Sequence, residues 1–584
     1  MEHYTRYFLP AATFLLLTVF FLLLPPLRSC RLVNTEQSEY RLTRADALIM
    51  AVISLLYAAV AFHKLGNIAS PDSFVDLEGQ SAELVLTDGG AEVTRLMLFP
   101  GVGMGRFEIE YSPDGVEYRH LTELEKTHGE VFKWIDMELP EHIAGGRLRI
   151  TGSGNVWLGE VVARTAEGET VPLTSGTAEL CDEQALCPEK QNFFNSTYFD
   201  EIYHARTAWE HLHHIWPYEI THPPLGKSIL AIGIALFGTS PFGWRFSGTF
   251  LGVLMLPILY VFAKKLFGGR AVPAAVTMLT ATDFMHFVQT RIATIDVYAV
   301  FFILLMYLFM YLFVSEGKRG WFMLSGLCFG LGAASKWTCI YAGAGLAVIW
   351  AVWVIGRLIR KKMDVWDFVE SAGYGIIFFI CVPALVYYLS YLPYGVSQGH
   401  GNILSADYMR IVLDNQKYMF SYHADLVATH PYSSHWYQWL LDIRPILYYL
   451  EYFPDGKHSS FGAFVNPVLC WGGLMSLFVL AYLAMFRRDR PSAFLLVGYL
   501  AQLLPWVAVT RLTFAYHYFP CTVFLALALG CCFRIMRLND KNWRLYTGGF
   551  VALSLAVFVL FYPALSGKPV GNTGLLSWLP TWPF

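Results

Sequence analysis

QTRIATIDVYAVFFILLMYLFMYLFVSEGKR, residues 289–319, decides the class of fold. Between Asp296 and Glu316 it carries no charge. At about 1.5 Å of rise per residue such a run crosses ~30 Å of hydrocarbon as one helix. Arg291 and Asp296 stand at one end, Lys318 and Arg319 at the other. Comparable apolar runs lie near 8–27, 46–64, 242–263, 271–288, 321–337, 339–357, 370–391, 464–486, 492–510, 514–533 and 545–562. The reading is a polytopic α-helical membrane protein of about twelve spans. Composition agrees: 584 residues, 55% hydrophobic and only 15% charged, with mean hydropathy +0.43, exclude an ordinary soluble enzyme. A net charge of -3 leaves no basic surplus for nucleic acid.

Loop charge sets the orientation. Alternate loops hold Arg28, Arg31, Arg41 and Arg44; Lys264, Lys265 and Arg270; Lys318 and Arg319; Arg357, Arg360, Lys361 and Lys362; Arg487, Arg488 and Arg490; and Arg534, Arg537, Lys541 and Arg544. By the positive-inside rule these loops are cytoplasmic and both chain ends lie outside. The first run reads as a retained span rather than a signal peptide, with Leu24-Pro25-Pro26-Leu27-Arg28 as its exit from the membrane. The expected organisation is two helices in 1–71, a β-rich insert in 72–180, a catalytic outer loop with surface helices in 181–241, and spans in 242–391. A second outer loop, 392–463, and C-terminal spans, 464–584, complete it.

Within 72–180, runs such as Ala82–Leu86, Arg106–Tyr111 and Arg147–Ile150 alternate in polarity with the period of half-buried strands, and Ser112-Pro113-Asp114-Gly115 and Gly145-Gly146 mark turns. An inserted extracytoplasmic β-sandwich is expected. Its YSPDGVEYRHL, VFKWIDMEL and RLRITGSGNVWLGEVVA resemble the discoidin and galactose-binding-like sandwiches, which implies a glycan ligand, while a spacer or docking role explains the same residues. Cys181 and Cys187 flank a short polar loop outside the membrane; a disulfide and two separate thiols both fit that spacing.

The chemistry points to FNSTYFDEIYHA. Asp200 and Glu201 precede THPPLGK, which ends at Lys227. An acid to take a proton and a cation beside a leaving phosphate are the groups that glycosyl transfer from a lipid carrier requires. The plain alternative is that two acids at a helix start merely cap it. Weight shifts because Arg245, Asp283, His286, Arg291, Asp296, Lys336, Arg511 and His517 all sit at the outer ends of spans, where an ionisable group is costly. In the second outer loop His430, Trp436 and Arg444 add polar and aromatic groups suited to a sugar or to the membrane interface. A secondary transporter would place charges at mid-membrane on repeated halves, and no repeat is present. A membrane-anchored binding protein would need one span.

YFDEIYHA, THPPLGK, WRFSGTFLG, QTRIATIDVYAVFF, GAASKWTCIYAG, HPYSSHWYQWLLDIRPILYY, NPVLCWGG and LPWVAVTRLTFAYHYFP together resemble the dolichyl-phosphate-mannose protein mannosyltransferases, protein O-mannosyltransferases of the glycosyltransferase C superfamily. The β-trefoil that eukaryotic members carry in a later loop is absent and a different insert precedes the acids, which looks like the bacterial branch. The resemblance implies inverting transfer of a hexose, typically mannose, from a polyprenyl phosphate to a protein serine or threonine hydroxyl outside the cytoplasm. Transfer to a lipid or a cell-wall polymer is the alternative. It implies Asp200 as catalytic base with Glu201 beside it, and Lys227, Arg245, Arg291, Arg511 and His517 at the carrier phosphate. His222, Asp296, Lys336, His430, Trp436 and Arg444 are assigned to the same pocket. No cofactor is required on this reading; paired acids leave room for a divalent cation, which is not favoured. The expected partners are the lipid-linked donor, the hydroxyl acceptor, a glycan on the sandwich and the bilayer of a bacterial cell membrane.

Overall fold

A computed structural model describes residues 2–33, 36–88, 90–571 and 574–584. The chain forms two compact units: Met1–His63, Ile220–Gly226 and Gly248–Phe584 make one, Lys64–Glu219 and Lys227–Ser247 the other. The helices in chain order are α1 (Glu2–Leu22), α2 (Arg44–Phe62), α3 (Glu201–Leu212), α4 (Leu225–Phe237), α5 (Pro241–Phe267), α6 (Ala271–Ala281), α7 (Phe284–Gln289), α8 (Asp296–Glu316), α9 (Arg319–Ser335) and α10 (Thr338–Ile359). They continue as α11 (Val365–Ile376), α12 (Val382–Leu389), α13 (Leu392–Ser397), α14 (Ala406–Asp425), α15 (Trp436–Trp439), α16 (Pro467–Arg487), α17 (Arg490–Leu503), α18 (Phe519–Asn539) and α19 (Trp543–Ser566).

Among the described residues, 8 helices are long and apolar enough to cross a membrane. The remaining expected spans form helices that are shorter or interrupted, and the local chemistry says why. The run at 271–288 breaks at Asp283, whose side chain accepts from the His286 amide and starts α7 as a new helix. The run at 492–510 leaves the α-helix at Leu504-Pro505, where a 3-10 turn takes over. α18 is the centre of the larger unit, buried from Cys521 to Met536 and packed by α6, α16 and α17. Glycines let neighbours approach it: a Cβ on Gly498 would meet the Phe524 ring at 2.3 Å. By contrast α2 exposes Leu48, Val52, Leu55 and Leu56, an apolar face suited to lipid. Its start is fixed by a reciprocal cap between Thr43 and Asp46, and buried Asp46 also binds Lys264 (2.9 Å) and the Tyr260 hydroxyl (2.7 Å) on α5.

The second unit is built on eight antiparallel strands: β1 (Val75–Asp76), β2 (Ser81–Leu86), β3 (Glu92–Ser112), β4 (Arg119–Lys126), β5 (Ile135–Ala144), β6 (Arg147–Arg164), β7 (Thr170–Val171) and β8 (Leu173–Ser175). The long strands β3 and β6 pair along nearly their whole length, and the outer side of β3 is shared between β5 at its start and β4 at its end. The β3–β6 register slips at Pro100–Gly103. Gly103 is required there: its φ is 87 and a Cβ would lie 1.8 Å from the Asn155 carbonyl oxygen. Leu84, Leu96, Leu98, Phe107, Ile109, Leu148 and Ile150 are fully buried in the β core.

Candidate active site

In the second unit the acidic pair separates into two roles. Asp200 occupies the N-cap position of α3 with φ -72 and ψ -4, and its side chain makes no capping bond. The preceding Phe199 is held at φ 47, a left-handed conformation that a non-glycine residue adopts only when its surroundings impose it. Glu201 turns into the protein. Arg245 Nε donates to its Oε1 at 2.7 Å and a second guanidinium nitrogen donates to its Oε2 at 2.8 Å. Trp244 Nε1 donates to the same carboxylate at 3.3 Å. The guanidinium also donates to the Leu65 and Ser196 carbonyl oxygens and lies over the Tyr198 ring. Glu201 and Arg245 are 0% and 1% exposed, so the two charges are desolvated together and neutralise one another.

Lys227 is likewise committed. Its ammonium donates to the Glu219 carbonyl (2.7 Å) and carboxylate (2.5 Å), and the side chain is fully buried. The sequence reading gives Lys227 and Arg245 to a carrier phosphate; in the structure each has a carboxylate partner inside its own unit, because a buried cation without a counter-charge is costly to keep. Arg245 thereby ties the first turn of α3 to α5. The sequon Asn195-Ser196-Thr197 belongs to this support and is buried, with Asn195 donating to the Lys190 carbonyl.

The β-rich insert is fastened to the acidic helix. Trp209 of α3 is ringed by Phe74, Phe132 and Trp157 at 5.6, 5.9 and 5.7 Å, and Phe132 stacks on Trp244, the neighbour of Arg245. Such an aromatic seam carries packing energy beyond simple area burial. Trp209→Ala is expected to lower the stability of the full chain by about 3 kcal/mol, the lower range for burying a void of that size. Thermal unfolding in detergent reads this, and a melting temperature equal to that of the parent protein contradicts the seam.

In the larger unit several expected site residues come together. Lys336 binds Asp296 (Nζ–Oδ1 2.7 Å) and lies over the Tyr516 ring. His517 packs between Trp439, Trp506 and Tyr516. His222 meets His423 edge-on at 5.3 Å, and His423 also contacts Trp337. The ring of His423 donates from Nε2 to the Thr221 carbonyl oxygen at 2.9 Å, which fixes the tautomer. Arg511 is half-buried and makes no ion pair among the described residues. Burial, then the nearby His222, Arg511 and Lys336 charges, pull the His423 pKa down to about 4.

A pH dependence follows. The folded chain keeps His423 neutral while the unfolded chain takes a proton near pH 6.5, so this group's stabilisation is complete above about pH 6.5 and is lost as pH falls toward about 4. His423→Gln should flatten the stability profile between those values. Equal slopes for the two proteins would show that His423 is not the titrating group.

Other expected residues serve elsewhere. Arg291 donates to the Ala61 and His63 carbonyl oxygens at the end of α2, where a cation also meets the negative end of the helix dipole. His430 packs on Phe514, Arg444 donates to the Pro431 carbonyl, and half-buried Trp436 meets Tyr437 edge-on. Sequence reasoning missed Glu219 and His423. Glu219 was findable as the acid nearest to Lys227 in PYEITHPPLGK; His423, on an amphipathic helix distant in sequence, carries no local signal.

The helical fold is that of a membrane glycosyltransferase of the C class. It matches the S. cerevisiae protein O-mannosyltransferase Pmt1-Pmt2 complex bound to the sugar donor with a TM-score of 0.58 at 14% identity, over 66% of this chain and 89% of that one. The family described as dolichyl-phosphate-mannose-protein mannosyltransferase matches residues 221–387, and the C-terminal four TMM region of protein-O-mannosyltransferase matches residues 408–582, together more than half of the chain. Polyprenol-phosphate-mannose--protein mannosyltransferase of Mycolicibacterium smegmatis is 27% identical over 452 residues, covering 66% of this chain and 87% of that protein. The Mycobacterium tuberculosis protein of the same name is 26% identical over 453 residues, with 66% and 86% covered. The chain belongs to the protein O-mannosyltransferase family.

Proposed function

We propose that this chain is an inverting glycosyltransferase that moves mannose from a polyprenyl-phosphate carrier to a serine or threonine hydroxyl of a protein. The reading is supported by the two family matches and by relatives named for that reaction. The observation that carries it within this chain is Asp200 at the start of α3, beside a Glu201 immobilised by Arg245. The acceptor hydroxyl attacks the anomeric carbon, its proton passes to the Asp200 carboxylate, and the bond to the carrier phosphate breaks. Negative charge grows on that phosphate, where a fixed cation stabilises it without reorganising. Glu201 and Arg245 position the helix. No metal is needed for this step.

About twelve spans are proposed, the shorter helices α1, α6 with α7, α9 and α17 crossing with their neighbours in a bacterial cell membrane. The acids then face the extracytoplasmic side. The strands of 72–180 are proposed as a β-sandwich that engages glycan on the acceptor. The test is mass spectrometry of products after incubating the purified chain with polyprenyl-phosphate mannose and a Ser/Thr-rich peptide. A peptide gaining one hexose supports the reading. Sugar appearing only on lipid or polymer acceptors would redirect it.

A further inference from the structure

We propose that Glu160, Asp182 and Glu183 form a binding site for a hard divalent cation, of the calcium class, at the exit of the β-rich insert. The carboxylate oxygens that the three residues offer all lie within 4.8 Å of one another. Oxygens coordinating one calcium ion sit on a sphere of about 2.3–2.6 Å radius, so atoms so spaced fit around a single ion.

Proximity of three acids alone would be an ordinary solvated cluster. Here one member is not solvated: Glu160 is 0% exposed, at the bottom of the group, and its Oε1 has no hydrogen-bond partner. An ionised carboxylate oxygen without water or donor is costly to bury. Its other oxygen accepts from the Glu183 amide at 2.9 Å, which aims the carboxylate at the connector. Glu183 is oriented in turn by the Asp72 amide (2.9 Å) and the Ser73 hydroxyl (3.4 Å). Asp182 is exposed and forms an open rim through which an ion enters. No lysine, arginine or histidine among the described residues pairs with any of the three. The nearest basic neighbour along the strand, Arg164, directs one guanidinium nitrogen to the Cys187 and Pro188 carbonyl oxygens and the Cys187 sulfur, and makes no ion pair with Glu160.

The donor set selects the ion class. Three carboxylates and open positions for water suit the irregular oxygen shell of calcium, whereas magnesium demands near-ideal octahedral geometry and zinc favours nitrogen and sulfur. Partial exposure places the affinity at about 10⁻⁴–10⁻³ M, the range of extracellular calcium modules. The residues bound are informative: Glu160 belongs to β6, Asp182 and Glu183 to the connector that leads toward Asp200, and Glu183 grips the chain entering the insert at Asp72. An ion here staples entry, strand and exit together.

Terbium luminescence sensitised by nearby tryptophan tests this on the full chain in detergent after chelation. Saturable terbium binding displaced by calcium is expected for the parent protein, lost in Glu160→Gln and weakened about tenfold or more in Asp182→Asn. Calcium at about ten times its dissociation constant should raise the melting temperature of the parent by about 1 °C and leave that of Glu160→Gln unmoved. If Glu160→Gln does not fold, Asp182→Asn on the exposed rim decides by the same two readings. A terbium signal equal in both variants and the parent places the ion elsewhere and overturns the assignment. So does a parent melting temperature unmoved by millimolar calcium, the result expected if the three acids share a proton instead.

Discussion

Asp200→Asn is expected to lower turnover by about 10²–10⁴-fold, the worth of a positioned general base, while the donor KM stays within about twofold. The amide keeps the shape of the carboxylate but loses its charge and its capacity to take a proton. Little stability should be lost, because the isosteric amide still accepts and donates hydrogen bonds and the lost charge's interaction with the helix dipole is worth about 0.3–1 kcal/mol. Mannose transfer to peptide, measured with polyprenyl-phosphate mannose at saturation, gives the rate, and thermal unfolding gives the control. A normal rate removes Asp200 from the chemistry. A large fall in melting temperature would mean that it is a structural residue instead. Asp200→Glu is expected to retain partial activity, since it keeps the base and moves it by one methylene.

Arg245→Met should behave in the opposite way, destabilising the chain by about 3–5 kcal/mol because it strands the Glu201 carboxylate without its counter-charge. It also removes donors from the Leu65 and Ser196 carbonyl oxygens. Glu201→Gln strands the guanidinium instead and should cost a comparable amount. The double variant Arg245→Met with Glu201→Gln should recover part of the loss, since neither charge is then buried alone. Yield and thermal unfolding of the four proteins close the cycle. Additive losses in the double variant would show that the two side chains act separately. If Arg245 served a carrier phosphate directly, Arg245→Met would instead raise the donor KM with stability unchanged.

These two outcomes divide a motif that looks uniform in sequence. Asp200 and Glu201 are neighbours of one residue type, yet a helix start turns them differently: the first residue is outside the α-helix and the second is its first residue. The same folding step that seats Glu201 on Arg245 anchors Ser196 and stacks Tyr198 under the guanidinium, so the strained Phe199 is held from both sides. The insert adds the third support through Trp209. Within this unit the β-rich domain is a structural partner of α3.

Apolar runs of span length were legible because lipid imposes a requirement that each segment meets alone: every backbone group must be satisfied within its own helix. That is why the polytopic helical class and the mannosyltransferase resemblance could be read from residues 289–319 and from ordered motifs. Strand alternation in Ala82–Leu86 and Arg106–Tyr111 was legible for a similar reason, since one face of each run must be buried. Breaks at Asp283 and Pro505 depended on local competition between capping and continuation, and apolar content alone passed over them.

Charge partners belong to another category. Lys227 with Glu219, Arg245 with Glu201 and Lys336 with Asp296 are pairings between residues separated by 8, 44 and 40 positions. Which acid meets which base follows from where folding brings them and from the cost of leaving either one buried alone, a three-dimensional quantity with no counterpart in spacing. The chain's letters announced a membrane-embedded transferase with an acid poised at a helix start; the fold decided which acid each buried cation meets, and gave Arg245 to that acid's neighbour.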